Sequence, residues 1–173
     1  ACLTTAVGAT AVMASYIAKW TRDRVSYRTG AIVTTVVALF QAFGLAKSLE
    51  AGGLAREEAQ KQAIEVIRGL RYDQDDYYWI NDMTPVMVMH PTNPKLEGQN
   101  LSGLKDPDGK FLFNEMVAIA RKDGSGQVDY RWPKPGATDP VPKISYVELF
   151  QPWGWIIGSG VYVDDVQAEF RTQ

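Results

Sequence analysis

From Tyr72 onward the chain breaks into five short runs rich in aromatic and β-branched residues: Tyr77–Asp82, Val86–His90, Gln127–Trp132, Lys143–Phe150 and Trp155–Val163. Each is bounded by Pro, Gly and Asp clusters, the punctuation expected of strands. The link from Asp82 to Pro85 is short enough to join the first two runs as a hairpin. After the second comes a long loop, His90 to Gly109, carrying Pro91, Pro94, Pro107 and three glycines. It leads into a short helix, Phe111 to Arg121, which Asp123-Gly124 ends. Pro133 to Pro142 reads as a hairpin loop between the third and fourth runs.

The front of the chain has a different texture. Between Ser15 and Leu49 there is no proline, and Ile32, Val36, Leu39, Phe40, Phe43 and Ala46 recur at helical steps. Gly52-Gly53 interrupts that pattern. A second helix follows, with Ala59, Ala63, Val66, Ile67 and Leu70 on one stripe and Glu57 and Glu58 in its first turn, where carboxylates complement the helix dipole. Five antiparallel strands with a loop and helix inserted after the second is the PAS-like arrangement. The expected fold is therefore α+β, a PAS-like five-stranded antiparallel sheet with a long N-terminal helix. One domain over 1–173 accommodates it: the long helix over 1–50, helix plus sheet over 51–163, and an exit helix over 164–173 capped by Asp164 or Asp165.

Residues 1–14 are apolar and uncharged, with Lys19, Arg22 and Arg24 behind them. Fourteen residues are too few to cross a bilayer. Three readings stay open: the outer end of a membrane helix, the tail of a signal peptide, or the start of a buried helix. Helices at both ends of a sheet would suit a module set between two membrane spans.

Charge and composition exclude several functions. A formal net charge of −2 argues against nucleic acid, which needs a basic footprint. One cysteine, Cys2, and one histidine, His90, form neither an internal disulfide nor a zinc site of usual composition. No cofactor or metal is expected. Gly158-Ser159-Gly160 lacks the spacing of a nucleophile elbow. Asp106-Pro107-Asp108-Gly109 is better read as a turn than as a calcium loop. No nucleophile–base pair is visible, so the chain is not expected to be an enzyme.

The segments LRYDQDDYYWIND (70–82), VMVMHP (86–91), EGQNLSGLKDPDGKFLF (97–113), VDYRWPKPG (128–136), PVPKISYVELF (140–150) and WGWIIGSGVYVDDV (153–166) together resemble one family. It is the single Cache domain of bacterial methyl-accepting chemotaxis proteins and sensor kinases. Individually several of these motifs are weak; six in the correct order are specific. The resemblance implies a periplasmic sensor domain of an inner-membrane receptor, held through flanking membrane helices and paired as a homodimer in the full receptor. It also implies a pocket between the sheet and the inserted loop-helix, and a short carboxylic acid ligand such as acetate, propionate, lactate or pyruvate. A sensor kinase carrying the module and a freestanding periplasmic binding protein are the alternatives.

Binding a small carboxylate requires fixed donors in a dry cavity, because only charge-assisted hydrogen bonds offset the loss of the anion's hydration. Strand alternation puts Tyr77 and Trp79 on one face, Tyr130 and Trp132 on another, and Lys143 with Ser145 on a third. His90 is expected to share a face with Val86 and Val88. The expected site joins Tyr77, Trp79, His90, Tyr130, Trp132 and Lys143, with Arg71 approaching from the end of the second helix. Lys143 would supply a compact cation and Arg71 a bidentate fork. Tyr77 and Tyr130 would offer hydroxyls, and His90 a donor or a loop anchor. Trp79 and Trp132 would limit the cavity to about two to four carbon atoms. Tyr146 belongs to a family motif, but parity sets it opposite Lys143 unless a bulge intervenes. The plainer readings stand beside these: Arg71 as a cap of its own helix, His90 as a structural histidine, the tryptophans as core, Lys143 as an edge lysine.

Overall fold

A computed structural model describes residues 55–72 and 76–165, with positions 44, 52 and 53. The expected long N-terminal helix, the apolar segment 1–14 and the exit helix beyond residue 165 lie outside the described residues. The chain divides into two compact units, Ala1–Glu65 and Val66–Gln173. Helix α1, Arg56–Gly69, runs across the division, with Glu57 and Glu58 in its first turn. No helix among the described residues is long and apolar enough to cross a membrane.

The second unit is built on a six-stranded sheet. Its strands are β1 (Arg71–Tyr72), β2 (Asp76–Asp82), β3 (Met87–Met89), β4 (Ser125–Pro133), β5 (Pro140–Phe150) and β6 (Trp155–Tyr162). The order is β1-β2-β6-β5-β4, with β3 also on β2, and the pairings between these strands are antiparallel. All five expected strands form, and the two-residue β1 is an addition. The tight β2–β3 hairpin arises because the Asp82 carboxylate accepts hydrogen bonds from the backbone of Thr84 and Val86, a turn no aliphatic residue could hold. The strands β4 and β5 run further into the Pro133–Pro142 loop than composition suggests, pairing up to Pro133 and Pro140.

Helix α2, Leu112–Asp123, follows the long loop and stops at Gly124, whose φ of 78° suits glycine. Its apolar stripe of Leu112, Phe113, Met116, Val117 and Ala120 shares one core with Tyr77, Trp79, Val128, Tyr130, Val147 and Ile156 of the sheet. Each such side chain contributes about 1.5–3 kcal/mol when fully buried, so the amphipathic pattern rather than local propensity fixes α2 on the sheet. The loop before α2 is clipped to β4. Asp106 is buried at 7% exposure, and its carboxylate accepts the backbone N–H groups of Asp108, Lys110 and Arg131. The expected turn at Asp106–Gly109 is therefore present, with an added tether to the sheet.

Candidate functional site

Residues directly opposite one another in antiparallel strands present side chains to the same face. Tyr130 pairs with Lys143, Lys143 with Tyr162, Ser145 with Gly160, and Gly158 with Trp79. One face of the sheet, the one that α2 covers, thus carries Tyr77, Trp79, Tyr130, Lys143, Ser145, Gly158, Gly160 and Tyr162. The register alone brings four of the expected residues together.

Lys143 is the one buried lysine or arginine among the described residues, at 1% exposure. No carboxylate lies within ion-pair distance of it among the described residues. Its ammonium is instead enclosed by aromatic faces, with Nζ 4.1 Å from the centre of the Tyr77 ring, 4.5 Å from Tyr162 and 5.7 Å from Trp79. It also makes a long 3.4 Å contact with the Tyr162 hydroxyl. Ring quadrupoles offset part of the desolvation of a cation but do not neutralise it. Among the described residues no counter-charge completes that offset.

Hydroxyl and imidazole groups surround it. The Tyr130 hydroxyl lies 3.0 Å from Ser145 Oγ, and the Tyr162 hydroxyl donates to the Pro133 carbonyl at 2.8 Å. Burial, followed by the neighbouring Tyr77 phenol, pushes the ionisation of both Tyr130 and Tyr162 well above the ordinary phenol range. Both therefore remain protonated donors. The Tyr77 ring lies 5.0 Å from the His90 ring, and the Trp132 ring lies 6.1 Å from it. Trp132 also meets Phe113 of α2 edge-on at 6.1 Å and Tyr130 at 6.3 Å. The aromatic wall therefore runs from the sheet to the covering helix.

His90 is held by the segment that follows it. Its Nδ1 accepts the backbone N–H of Asn93 at 3.1 Å, which assigns the ring proton to Nε2. Its backbone N–H donates to Glu97 at 2.9 Å, and Glu97 in turn receives a two-pronged bond from Arg68 at 2.7 and 3.1 Å. Burial first, and the charge of Lys143 second, lower the His90 pKa to about 4 against the opposing pull of Glu97. The ring is thus neutral at physiological pH, with Nε2–H as its donor. His90 is both a structural anchor and a member of the cluster. It does not continue the face of the half-buried Val86 and Val88: β3 ends at Met89, after an irregularity opposite Ile80 and Asn81, and His90 is buried directly after the buried Met89.

Two expected residues stand apart. Arg71 is exposed, and its guanidinium donates to the carbonyls of Arg68 and Leu70 at 2.8 and 2.7 Å, capping α1. Tyr146 lies on the opposite face from Lys143, as strand parity requires in an unbroken β5, and its hydroxyl donates to Ser125 at 2.9 Å. Conversely, Tyr162, Ser145 and Glu97 belong to the cluster or its support without having been singled out. Ser145 was reachable by parity with Lys143; Tyr162 required the β5–β6 register.

A Cache domain family model matches residues 16–173. The methyl-accepting chemotaxis protein McpP of Pseudomonas putida is 66% identical over 128 residues, which are 73% of this chain and 24% of that protein. The chain thus spans about a quarter of the length of that relative. A solved Cache chemosensory domain, described as showing the structural basis of carboxylic acid recognition, superposes with a TM-score of 0.71 at 62% identity, covering 75% of this chain and 90% of its own. A periplasmic sensor domain of a chemotaxis protein superposes at 0.68 with 56% identity, covering 70% and 88%. With its fold, its ordered motifs and this match in agreement, the chain belongs to the Cache domain family.

Proposed function

We propose that this chain is the extracytoplasmic sensing domain of a transmembrane chemoreceptor and that it binds a small monocarboxylic acid at Lys143 without transforming it. One observation carries the reading: a buried ammonium with aromatic neighbours and neutral donors, and no carboxylate in reach among the described residues. A ligand carboxylate would provide the missing charge. Lys143 would take one oxygen, with Tyr77, Tyr130 and His90 Nε2–H as neutral donors around the other. The charge-assisted bond supplies affinity, and the neutral donors supply orientation. The likeness to a domain described for carboxylic acid recognition supports the same ligand class.

The remainder of the receptor belongs to the same proposal: membrane helices on both sides, two copies per receptor, and an output domain in the cytoplasm. A coiled-coil methylation region downstream would identify a chemoreceptor; a kinase core would identify a sensor kinase. Binding itself is tested by calorimetric titration of the chain with acetate, propionate, lactate, pyruvate and butyrate. Saturable heat with at least one of them is the expected result. Absence of binding to all five would overturn the reading.

A further inference from the structure

The two glycines of Gly158-Ser159-Gly160 lie on the site face of β6, where all residues are buried. Glycine inside a strand weakens it and marks close approach by another group. The two positions differ in what approaches. At Gly160 a Cβ would meet the Ile144 backbone oxygen at 2.3 Å and Ser145 Oγ at 2.2 Å, so the strand spacing itself demands glycine. At Gly158 the obstacle is a side chain: a Cβ would fall 2.2 Å from Cζ2 and 2.6 Å from Cε2 of Trp79. The indole lies flat on the bare backbone of residue 158.

The orientation of Trp79 gives this seat a consequence. Its single N–H donates to Asn81 Oδ1 at 3.1 Å, so the rest of the ring offers only carbon. The Lys143 ammonium lies 5.7 Å over that ring. The indole thus rests on the Gly158 backbone with the cation near its ring, as an apolar surface beside the donor cluster. An acid whose carboxylate meets Lys143, Tyr77 and His90 has its alkyl end left to the surface that offers no hydrogen bond.

We infer that Gly158 is a specificity-determining residue, because the depth at which it seats Trp79 sets the longest acyl chain the site admits. This inference rests on the carboxylate-binding reading above. A methyl group at residue 158 would lift the ring by roughly 1 Å to restore ordinary contact distance, shortening the space for the ligand's tail. A smaller side chain at residue 79 would lengthen it.

The test is a chain-length series of acetate, propionate, butyrate and valerate, titrated by calorimetry into wild type, Gly158→Ala, Trp79→Leu and the double variant. Gly158→Ala is expected to shift the affinity ratio at least tenfold in favour of the shortest bound acid. Trp79→Leu is expected to admit an acid at least one carbon longer than wild type does, and the double variant to match Trp79→Leu, since no indole remains for a methyl group at residue 158 to lift. A Gly158→Ala protein that loses affinity equally for every acid, or keeps the wild-type ratio, overturns the inference while leaving carboxylate binding intact. Should Gly158→Ala fail to fold, an unchanged length limit in Trp79→Leu overturns it as well. Wild type that binds none of the four acids overturns both this inference and the reading beneath it.

Discussion

The Lys143 ammonium of β5 stands 4.1 Å from the centre of the Tyr77 ring of β2, across the intervening strand β6. Burying a cation without a counter-ion costs several kcal/mol, of which aromatic faces return only part. Under the proposed function, binding and stability are therefore opposed at this residue. Lys143→Met keeps the length and apolar body of the side chain and removes the charge. The ligand-free variant is expected to be more stable than wild type by about 1–3 kcal/mol in urea unfolding. A loss of stability would show that the ammonium has a favourable partner in the folded chain.

His90 is the single histidine in the sequence, so its ring resonances can be followed without ambiguity. Its folded pKa of about 4 lies below the ordinary value of 6.5, chiefly through burial and then through the Lys143 charge. The unfolded chain therefore binds more protons between those two values, and folding favours the neutral ring. Its contribution is fully present above pH 6.5 and is lost as the pH falls toward 4, by about 3 kcal/mol in all. Imidazole shifts measured by NMR should show no titration between pH 8 and 5. His90→Gln should flatten the fall in stability across pH 6.5 to 5, where Glu97 and Asp106, with pKa values lowered from 4.5 and 3.8, stay ionised.

Glu97 joins three parts of the unit: the end of α1 through Arg68, the end of β3 through the His90 N–H, and its own turn. The bond from Arg68 is the main reason its carboxyl is held below the usual range. Glu97→Gln should cost about 1 kcal/mol, since the pair is only partly buried. It should also move the His90 pKa still lower, because the carboxylate acts to raise it. Urea unfolding and the same NMR titration check both.

Asp106 opposes its own burial with three backbone N–H donors, which together hold its carboxyl below the ordinary range. Asp106→Ala would leave those donors unsatisfied and free the loop from β4 at Arg131. The expected cost is about 2–4 kcal/mol. Amide hydrogen exchange should accelerate at Asp108, Lys110 and Arg131 before it does in β5 and β6. Uniform acceleration throughout the unit would contradict the local tether.

Strand alternation made much of this legible in advance. Tyr77 with Trp79, Tyr130 with Trp132, and the placing of Tyr146 opposite Lys143 all follow from a period of two. The meeting of those pairs did not follow, because register between strands depends on turn geometry, here the Gln151–Trp153 turn closed by left-handed Gly154. For that reason Tyr162, opposite Lys143, escaped notice. Arg71 misled through its chemistry. A guanidinium at a helix end has carbonyls of its own chain within reach, and Arg68 and Leu70 supply them. His90 was placed by an unbroken alternation, which the irregularity of β3 between Met87 and Met89 interrupts.

The most direct measurement of the central claim is the affinity of Lys143→Met for the acid that wild type binds most tightly. The variant is expected to fold at least as stably as wild type, so lost binding cannot be blamed on unfolding. Removing one partner of a buried ion pair costs about 2–5 kcal/mol, a fall in affinity of roughly thirtyfold or more. Affinity within a factor of about three of wild type would contradict the account, because the anion would then be held by something other than this ammonium.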